Sequence, residues 1–328
     1  MIKNEIIKSF SRIKTIVFLI ILLVAIIASG VIYGLLVTQP KDWKADLEMD
    51  ASGYQEMADN ISSGTSEIDV QGESDMAPYV QAYREQAAID RYAIDHNIPI
   101  NKITAWSFAS TFEFIVNLVF IFMIVAAAES VASEYSSGNI RYLLIKPKTR
   151  WKLLTGKFLS LILSAVFFLL VTFLLTAILG FIFYGFDGAQ GITLAIENGQ
   201  VIERSLVGDL LLTYLAEFVK LLVIISLAMM ISVLMKSSIL SIILSVGLIF
   251  SGYILTNILS ALIALTDMSN IEWIKYTPFP NLNLAQYLPS GSPAFPGMTL
   301  GFSAIVLLVY FILFNSVSYT VFSKRDVY

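Results

Sequence analysis

The chain has 328 residues, 57% hydrophobic and 14% charged, with a formal net charge of −4 at pH 7. Soluble domains hold roughly 45–50% apolar residues, so this composition excludes an ordinary soluble fold and points to an all-α integral membrane protein with several spans. There is no cysteine, which excludes disulfides, thiolate metal sites and a cysteine nucleophile, while the lack of thiols identifies no compartment.

In residues 1–15, Ile2, Ile6, Ile7, Phe10 and Ile13 fall at helical spacing between Lys3, Lys8, Arg12 and Lys14. This suits an amphipathic helix in the inner headgroup layer, or a solvated tail with a stop-transfer charge cluster. The apolar run at 16–37 is longer than the core of a signal peptide and lacks a small-residue cleavage site, so it reads as a retained first span.

Residues 38–106 carry thirteen acids against Lys41, Lys44, Arg84, Arg91 and Lys102. The first half, Asp46 to Asp75, is rich in Ser, Gly, Asp and Glu and is expected to be loop-like or partly disordered. Pro78 to Asn97 is expected to be helical, with Ser74 or Asp75 as cap and Tyr79, Tyr83, Ala87 and Tyr92 on one stripe. The segment is therefore expected to form a small external subdomain, a lid or packing element.

The second span is placed at 107–128 and the others at 158–184, 209–235, 239–265 and 301–322. The intervening 129–157 segment holds Arg141, Lys146, Lys148, Arg150, Lys152 and Lys157 against Glu129 and Glu134. With Lys236 in the next link on that side and Lys324 and Arg325 near the 323–328 tail, thirteen of 21 Lys and Arg fall on the side of both termini. The positive-inside rule then gives six spans in the cell membrane with both ends cytoplasmic.

As one helix the fifth run would reach about 40 Å, more than hydrocarbon requires. Residues 266–300 contain Pro278, Pro280, Pro289, Pro293 and Pro296 with Trp273, Tyr276 and Tyr287. The end of the fifth run is therefore expected to turn back into short re-entrant helices at the outer surface.

Chemistry is limited by what is missing. His96 is the only histidine, which excludes a histidine metal cluster or a Ser-His-Asp triad. Gly156-Lys157 is followed by Phe158, with Trp151 five positions before Gly156, so the phosphate-cradling pattern fails. The chain is expected to be no enzyme, to bind no metal or cofactor of its own, and to have no nucleic-acid partner.

Three charges lie inside spans: Glu113, Glu217 and Lys220. Counted from Glu129 and Lys236, they sit about 24 Å along their helices or slightly farther. They form either a polar outer vestibule that admits or releases substrate, or an i, i+3 pair with an interfacial glutamate. Gly30/Gly34, Ser241/Ser245 and Gly247/Ser251 give small-x-x-x-small spacings, suited to packing within the chain or to a dimer seam.

Segment 129–157 has its own pattern. Ser133 to Gly138 is a polar exit ending in a turn residue, Ile140 to Ile145 is a short amphipathic piece, and Pro147 breaks it before Lys148 to Lys157 leads into span three. It is either a plain positive-inside loop or a surface lever for a cytosolic partner. The ordered set Glu134, Gly138, Leu143-Leu144, Pro147, Arg150 and Gly156-Lys157 resembles the signature of type-2 ABC exporter permeases. Asn139 and Arg141 depart from it, standing where that family commonly has a threonine and an acid.

The resemblance implies a six-span permease subunit, with re-entrant helices between spans five and six. It also implies a second permease subunit, identical or paralogous, and separate cytosolic ATPase subunits that carry ATP and Mg. Glu134, Gly138, Pro147, Arg150 and Lys157 would couple to the ATPase, and the function would be export. Separately, the long apolar spans with few buried charges suit a hydrophobic or amphipathic cargo, such as a peptide antibiotic or lipid-like molecule. The competing expectation is a non-transporting membrane sensor, or an immunity or assembly protein, using its extracellular segment.

Overall fold

The structure is a computed structural model that describes residues 7, 10–11, 13–36, 42–63, 77–138, 150–186, 191–197, 199–266, 269–288, 293–295 and 297–324. Ten helices and one hairpin are named in chain order. They are α1 (Ile13–Leu36), α2 (Trp43–Ser62), α3 (Ala77–Asp95), α4 (Ala105–Thr111) and α5 (Val116–Ser136), then α6 (Arg150–Tyr184), β1 (Ile192–Glu197) and β2 (Gln200–Ser205). The rest are α7 (Leu206–Leu234), α8 (Ser238–Thr266), α9 (Pro278–Asn281) and α10 (Leu300–Lys324). Short 3-10 segments occupy Phe112–Ile115, Ser269–Tyr276 and Leu284–Tyr287. Among the described residues, six helical segments are long and apolar enough to cross a membrane: α1, α4 through α5, α6, α7, α8 and α10. Helices satisfy their backbone polar groups internally, which hydrocarbon demands.

The chain divides into two compact units. The first comprises residues 1–27, 112–175 and 211–328, the second 28–111 and 176–210. In the first, one end of every spanning helix converges. Lys14 Nζ donates to both carboxylate oxygens of Glu129 at 2.7 and 2.9 Å. Ser136 Oγ lies 3.0 Å from Ser238 Oγ, Lys157 Nζ is 3.1 Å from Glu134 Oε1, and Arg150 donates to the Ser323 carbonyl at 3.2 Å. Ser232, near the end of α7, accepts from α5 backbone there. These contacts gather residues 14, 129–136, 150–157, 232–238 and 323 at one face, the alternation that the charge pattern predicts. Deeper inside, Phe18, Phe122 and Phe168 join α1, α5 and α6, with ring centroids 4.1 to 5.2 Å apart.

The second unit holds the α2–α3 helical pair and the β1–β2 hairpin. Leu47, Ala51 and Ala58 of α2 and Ala87 and Ala93 of α3 are buried, and Tyr54 stacks on Tyr83. Small side chains at i, i+4 spacing let two helices with polar outer faces pack closely. Gly180 of α6 lies against the Ala105 backbone. Gly30 of α1 is covered by Phe108 and Phe183.

Four expectations are corrected. The protein is mostly helical rather than all-α, because 192–205 forms an antiparallel hairpin with Ile192 opposite Ser205 and Glu197 opposite Gln200. Residues 43–62, in the stretch expected to be loop-like, form α2: Asp42 Oδ1 accepts from the Ala45 amide at 3.2 Å as N-cap, and Leu47, Ala51, Tyr54 and Ala58 make a helical stripe. Residues 64–76, with the candidate caps Ser74 and Asp75, lie outside the described residues; the helix expected at 78–97 is present as α3. The fifth run stays a continuous helix to Thr266 instead of turning back, and the short turns follow it. Finally, α5 extends to Ser136 and α6 begins at Arg150, so both ends of segment 129–157 are helical. Most of the expected N-terminal amphipathic helix lies outside the described residues; Ile7 and Ser11 share one helical hydrogen bond.

Asp90 in α3 is a buried carboxyl, 2% exposed, whose Oδ2 has no hydrogen-bond partner. Burial pushes it above the usual carboxylate range, the Gln86 bond draws it partly back, and the charge of Asp50 on α2 pushes it up again. A folded-state value above the unfolded one adds stability that is complete below the ordinary carboxyl range and is lost as pH rises through the raised value. Asp90→Asn should therefore be more stable than wild type at neutral pH by about 1 kcal/mol, and the advantage should vanish on acidification. Thermal unfolding of both proteins from about pH 4 to pH 8 checks this.

Candidate functional site

Two polar constellations are built into the first unit. One lies where the helix ends converge, around α5. Small residues fill this stretch: Ala127, Ala128, Ser130, Val131 and Ala132 are all buried. They let α6, α7 and α8 approach the α5 backbone, and hydroxyls exploit that approach. Ser130 Oγ donates to the Ala127 carbonyl at 2.7 Å, and Ser241 Oγ of α8 donates to the Ala128 carbonyl at 2.8 Å. Ser232 Oγ of α7 accepts from the Val131 and Ala132 amides, both at 3.0 Å.

Lys157 of α6 completes this seam. Its ammonium donates to the Ser130 carbonyl at 2.8 Å and to Glu134 Oε1 at 3.1 Å. Both side chains of the ion pair are only 5% exposed. Two of the sequence-selected residues thus meet as a buried pair tying α5 to α6, turned into the helices rather than out to solvent. Arg150 is half-buried and reaches α10 through the Ser323 carbonyl, while Thr155 and Tyr319 join the same two helices at 2.8 Å. Gly138 is exposed with φ +73°, a left-handed conformation that ends α5 and that glycine adopts without strain. Pro147 and the Leu143-Leu144 pair lie outside the described residues.

The second constellation lies between the start of α5 and the middle of α7. Lys220 Nζ donates to Glu217 Oε1 at 2.6 Å, and both residues are buried, 6% and 7% exposed. The ammonium also sits 5.2 Å from the Phe120 ring centroid, a cation–π distance. Glu113, in the 3-10 turn before α5, is half-buried and within electrostatic range of both Glu217 and Lys220. Tyr253 of α8 lies within range of Glu217 and edge-on to Phe120. The structure therefore unites the three intraspan charges and adds two aromatic rings that sequence reasoning did not select. Among the described residues, no group of three or more His, Cys, Asp or Glu could hold a metal ion.

The remaining selected positions do not join these clusters. At Gly34 and Gly247 a Cβ would stand in open space, with no atom within 4 Å, and Ser251 is exposed, bonding its own Leu248 carbonyl at 3.0 Å. They lie on open helix faces, whereas Ser241 is used within the chain.

Six apolar spans stitched by buried ion pairs and serine hydroxyls define a multi-pass helical membrane protein. Within that class, the chain belongs to the family described as Protein of unknown function (DUF2705), whose model matches residues 80–328. It is similar to the Uncharacterized protein YhcI of Bacillus subtilis (strain 168), 35% identical over 248 residues, which cover 75% of this chain and 76% of that protein. It is also similar to the Uncharacterized membrane protein YdbK of the same strain, 24% identical over 205 residues, covering 62% of this chain and 76% of that protein.

Proposed function

We propose that the chain is the transmembrane permease subunit of an ATP-driven exporter, working as a pair of such subunits with separate cytosolic ATPases. The observation that carries this reading is the Glu134–Lys157 pair. It clamps the end of α5 to the start of α6, and Arg150 ties that start to α10. A partner pressing on residues 138–150 would act on a base fixed to three spanning helices, so its motion would reach the bundle instead of dissipating in a loose loop. The work is conformational: ATP binding by the partner shifts an equilibrium between two arrangements of the spans.

On this reading the converging helix ends face the cytoplasm of a cell membrane, consistent with the positive charge there. The α2–α3 pair and the β1–β2 hairpin are then external, and the short turns between α8 and α10 are outer re-entrant elements. The buried packing of α2 on α3 and the paired strands give the competing sensor reading a folded element with which to bind an external ligand.

The test is an affinity pull-down from mild detergent, with mass spectrometry of bound proteins. An ATP-binding-cassette subunit should co-purify with wild type. Arg150→Glu, and deletion of residues 139–148, which spares the ion pair, should lose it while membrane insertion stays intact. Unchanged complexes in both variants would count against docking at this segment.

A further inference from the structure

We infer that the chain between α8 and α10, in its described residues 269–288, 293–295 and 297–299, is a strap that fastens these two spans into one rigid body. The fastening needs no assumption about function; its use in a transport cycle rests on the permease reading.

The strap joins the ends of α8 and α10 that lie opposite the converging helix ends. It has an apolar core of its own. Ile274, Phe295 and Met298 are buried together, and Leu259 and Ile263 of α8 and Phe302 of α10 pack against them. On the α8 side the Phe279 ring lies on the backbone at Gly252, where a Cβ would have no room. Pro278 and Pro280 flank Phe279 and restrict the backbone that presents it. Ser260 Oγ of α8 donates to the Ala294 carbonyl at 2.9 Å.

The α10 side is held by hydrogen bonds that converge on Asn281, which is fully buried. Its amide nitrogen donates to the Lys275 and Thr277 carbonyls, both at 2.7 Å. Its Oδ1 accepts from Ser303 Oγ of α10 at 2.6 Å. Ser303 has thereby committed its proton, so the Tyr287 hydroxyl, 2.5 Å from Ser303 Oγ, is the donor of that second bond. Gln286, also buried, ties the two halves of the strap. Its Nε2 donates to the Pro280 carbonyl at 3.2 Å, and its Oε1 accepts from the Ala294 amide at 3.0 Å.

Each side-chain nitrogen and oxygen of Asn281, Gln286 and Ser303 therefore has a partner. Such a network resists partial opening, because every bond broken leaves a buried donor or acceptor unsatisfied. While the strap is closed, α8 and α10 keep their spacing. The far end of α10 is bound to α6 through Arg150 and the Thr155–Tyr319 pair. In the permease reading, α10 takes motion from α6 at that end, and the strap makes α8 follow it at the other.

The experiment reads distances between nitroxide pairs by pulsed dipolar spectroscopy, on the purified full-length chain in nanodiscs of phosphatidylcholine and phosphatidylglycerol. The chain has no native cysteine to label, so Leu262→Cys on α8 and Ile305→Cys on α10, both exposed, report the fastened ends. One narrow distribution is expected. Adding Asn281→Ala should broaden it and should raise amide exchange across 274–287 about tenfold or more, the scale of buried polar groups left unsatisfied. Tyr287→Phe removes a single donor and should give a smaller rise.

A broad or two-peaked distribution in the doubly labelled chain overturns the strap, and this result stands even if a further variant fails to fold. Unchanged distances and unchanged exchange in a folded Asn281→Ala chain overturn it as well. No ATPase is in the sample. Failure here leaves the partner-capture test of the permease reading standing, and failure of that capture leaves the strap standing.

Discussion

Lys157→Met is expected to destabilise the purified protein by about 3–5 kcal/mol, the usual cost of removing one member of a buried ion pair. The substitution leaves Glu134, only 4% exposed, without its ammonium and leaves the Ser130 carbonyl without the donor at 2.8 Å. Glu134→Gln should cost less, because a neutral amide tolerates burial better than a bare charge and Lys157 keeps its bond to Ser130. The double variant is the informative one. With both charges gone the penalty of burying that carboxylate without the Lys157 ammonium disappears, so Glu134→Gln with Lys157→Met should be more stable than Lys157→Met alone. A double-mutant cycle from thermal unfolding in detergent reads the coupling. Strict additivity would show that the two side chains do not act as a pair. On the proposed permease reading, the same double variant should keep its fold yet transmit less of a partner's motion, which separates stabilisation by the pair from the coupling proposed for it.

The second large effect is expected at Gly180. A Cβ there would fall 2.5 Å from the Ala105 carbonyl oxygen and 3.2 Å from its Cα. The obstacle is backbone, which cannot swing aside as a side-chain tip can. Gly180→Ala should cost about 1–3 kcal/mol by overpacking, and Gly180→Leu should separate α6 from the start of α4 altogether. Limited proteolysis of the second unit, with thermal unfolding, checks both. Gly34→Ala and Gly247→Ala supply the contrast, since neither meets an atom within 4 Å. Each should be neutral or slightly stabilising through helix propensity in the isolated chain.

The spans were legible because about twenty apolar residues in a row have one common use, and charge segregation paired their ends correctly. The α2 helix was not, for the reason that hides many amphipathic helices: a stripe of one leucine, two alanines and a tyrosine is swamped by its acidic neighbours. The β1–β2 hairpin did carry a signal. Asn198-Gly199 stands between Ile192-Thr193-Leu194-Ala195-Ile196 and Val201-Ile202, and Asn-Gly between β-formers marks a two-residue hairpin turn. Gly199 has φ +76°, as such a turn requires.

At the site, residue types and positions were readable, but directions were not. Glu134 and Lys157 are 23 residues apart in sequence, and only the antiparallel run of α5 and α6 reveals that they neutralise each other. The same holds for Glu113, whose neighbours lie about a hundred residues away on α7. Ser241 was marked only by its small-residue spacing with Ser245, and Ser130 and Ser232 gave no sequence signal, because serines in spans are common and their value here comes from the close approach of small-residue helices.

Reconstitution in sealed proteoliposomes tests the central claim most directly, with a panel of fluorescent hydrophobic and amphipathic probes as cargo and the chain alone or with a co-purified ATP-binding-cassette subunit. The account predicts cargo movement only when both proteins and ATP are present, abolished by Arg150→Glu. Movement by the chain alone, equal with and without nucleotide and partner, would contradict it.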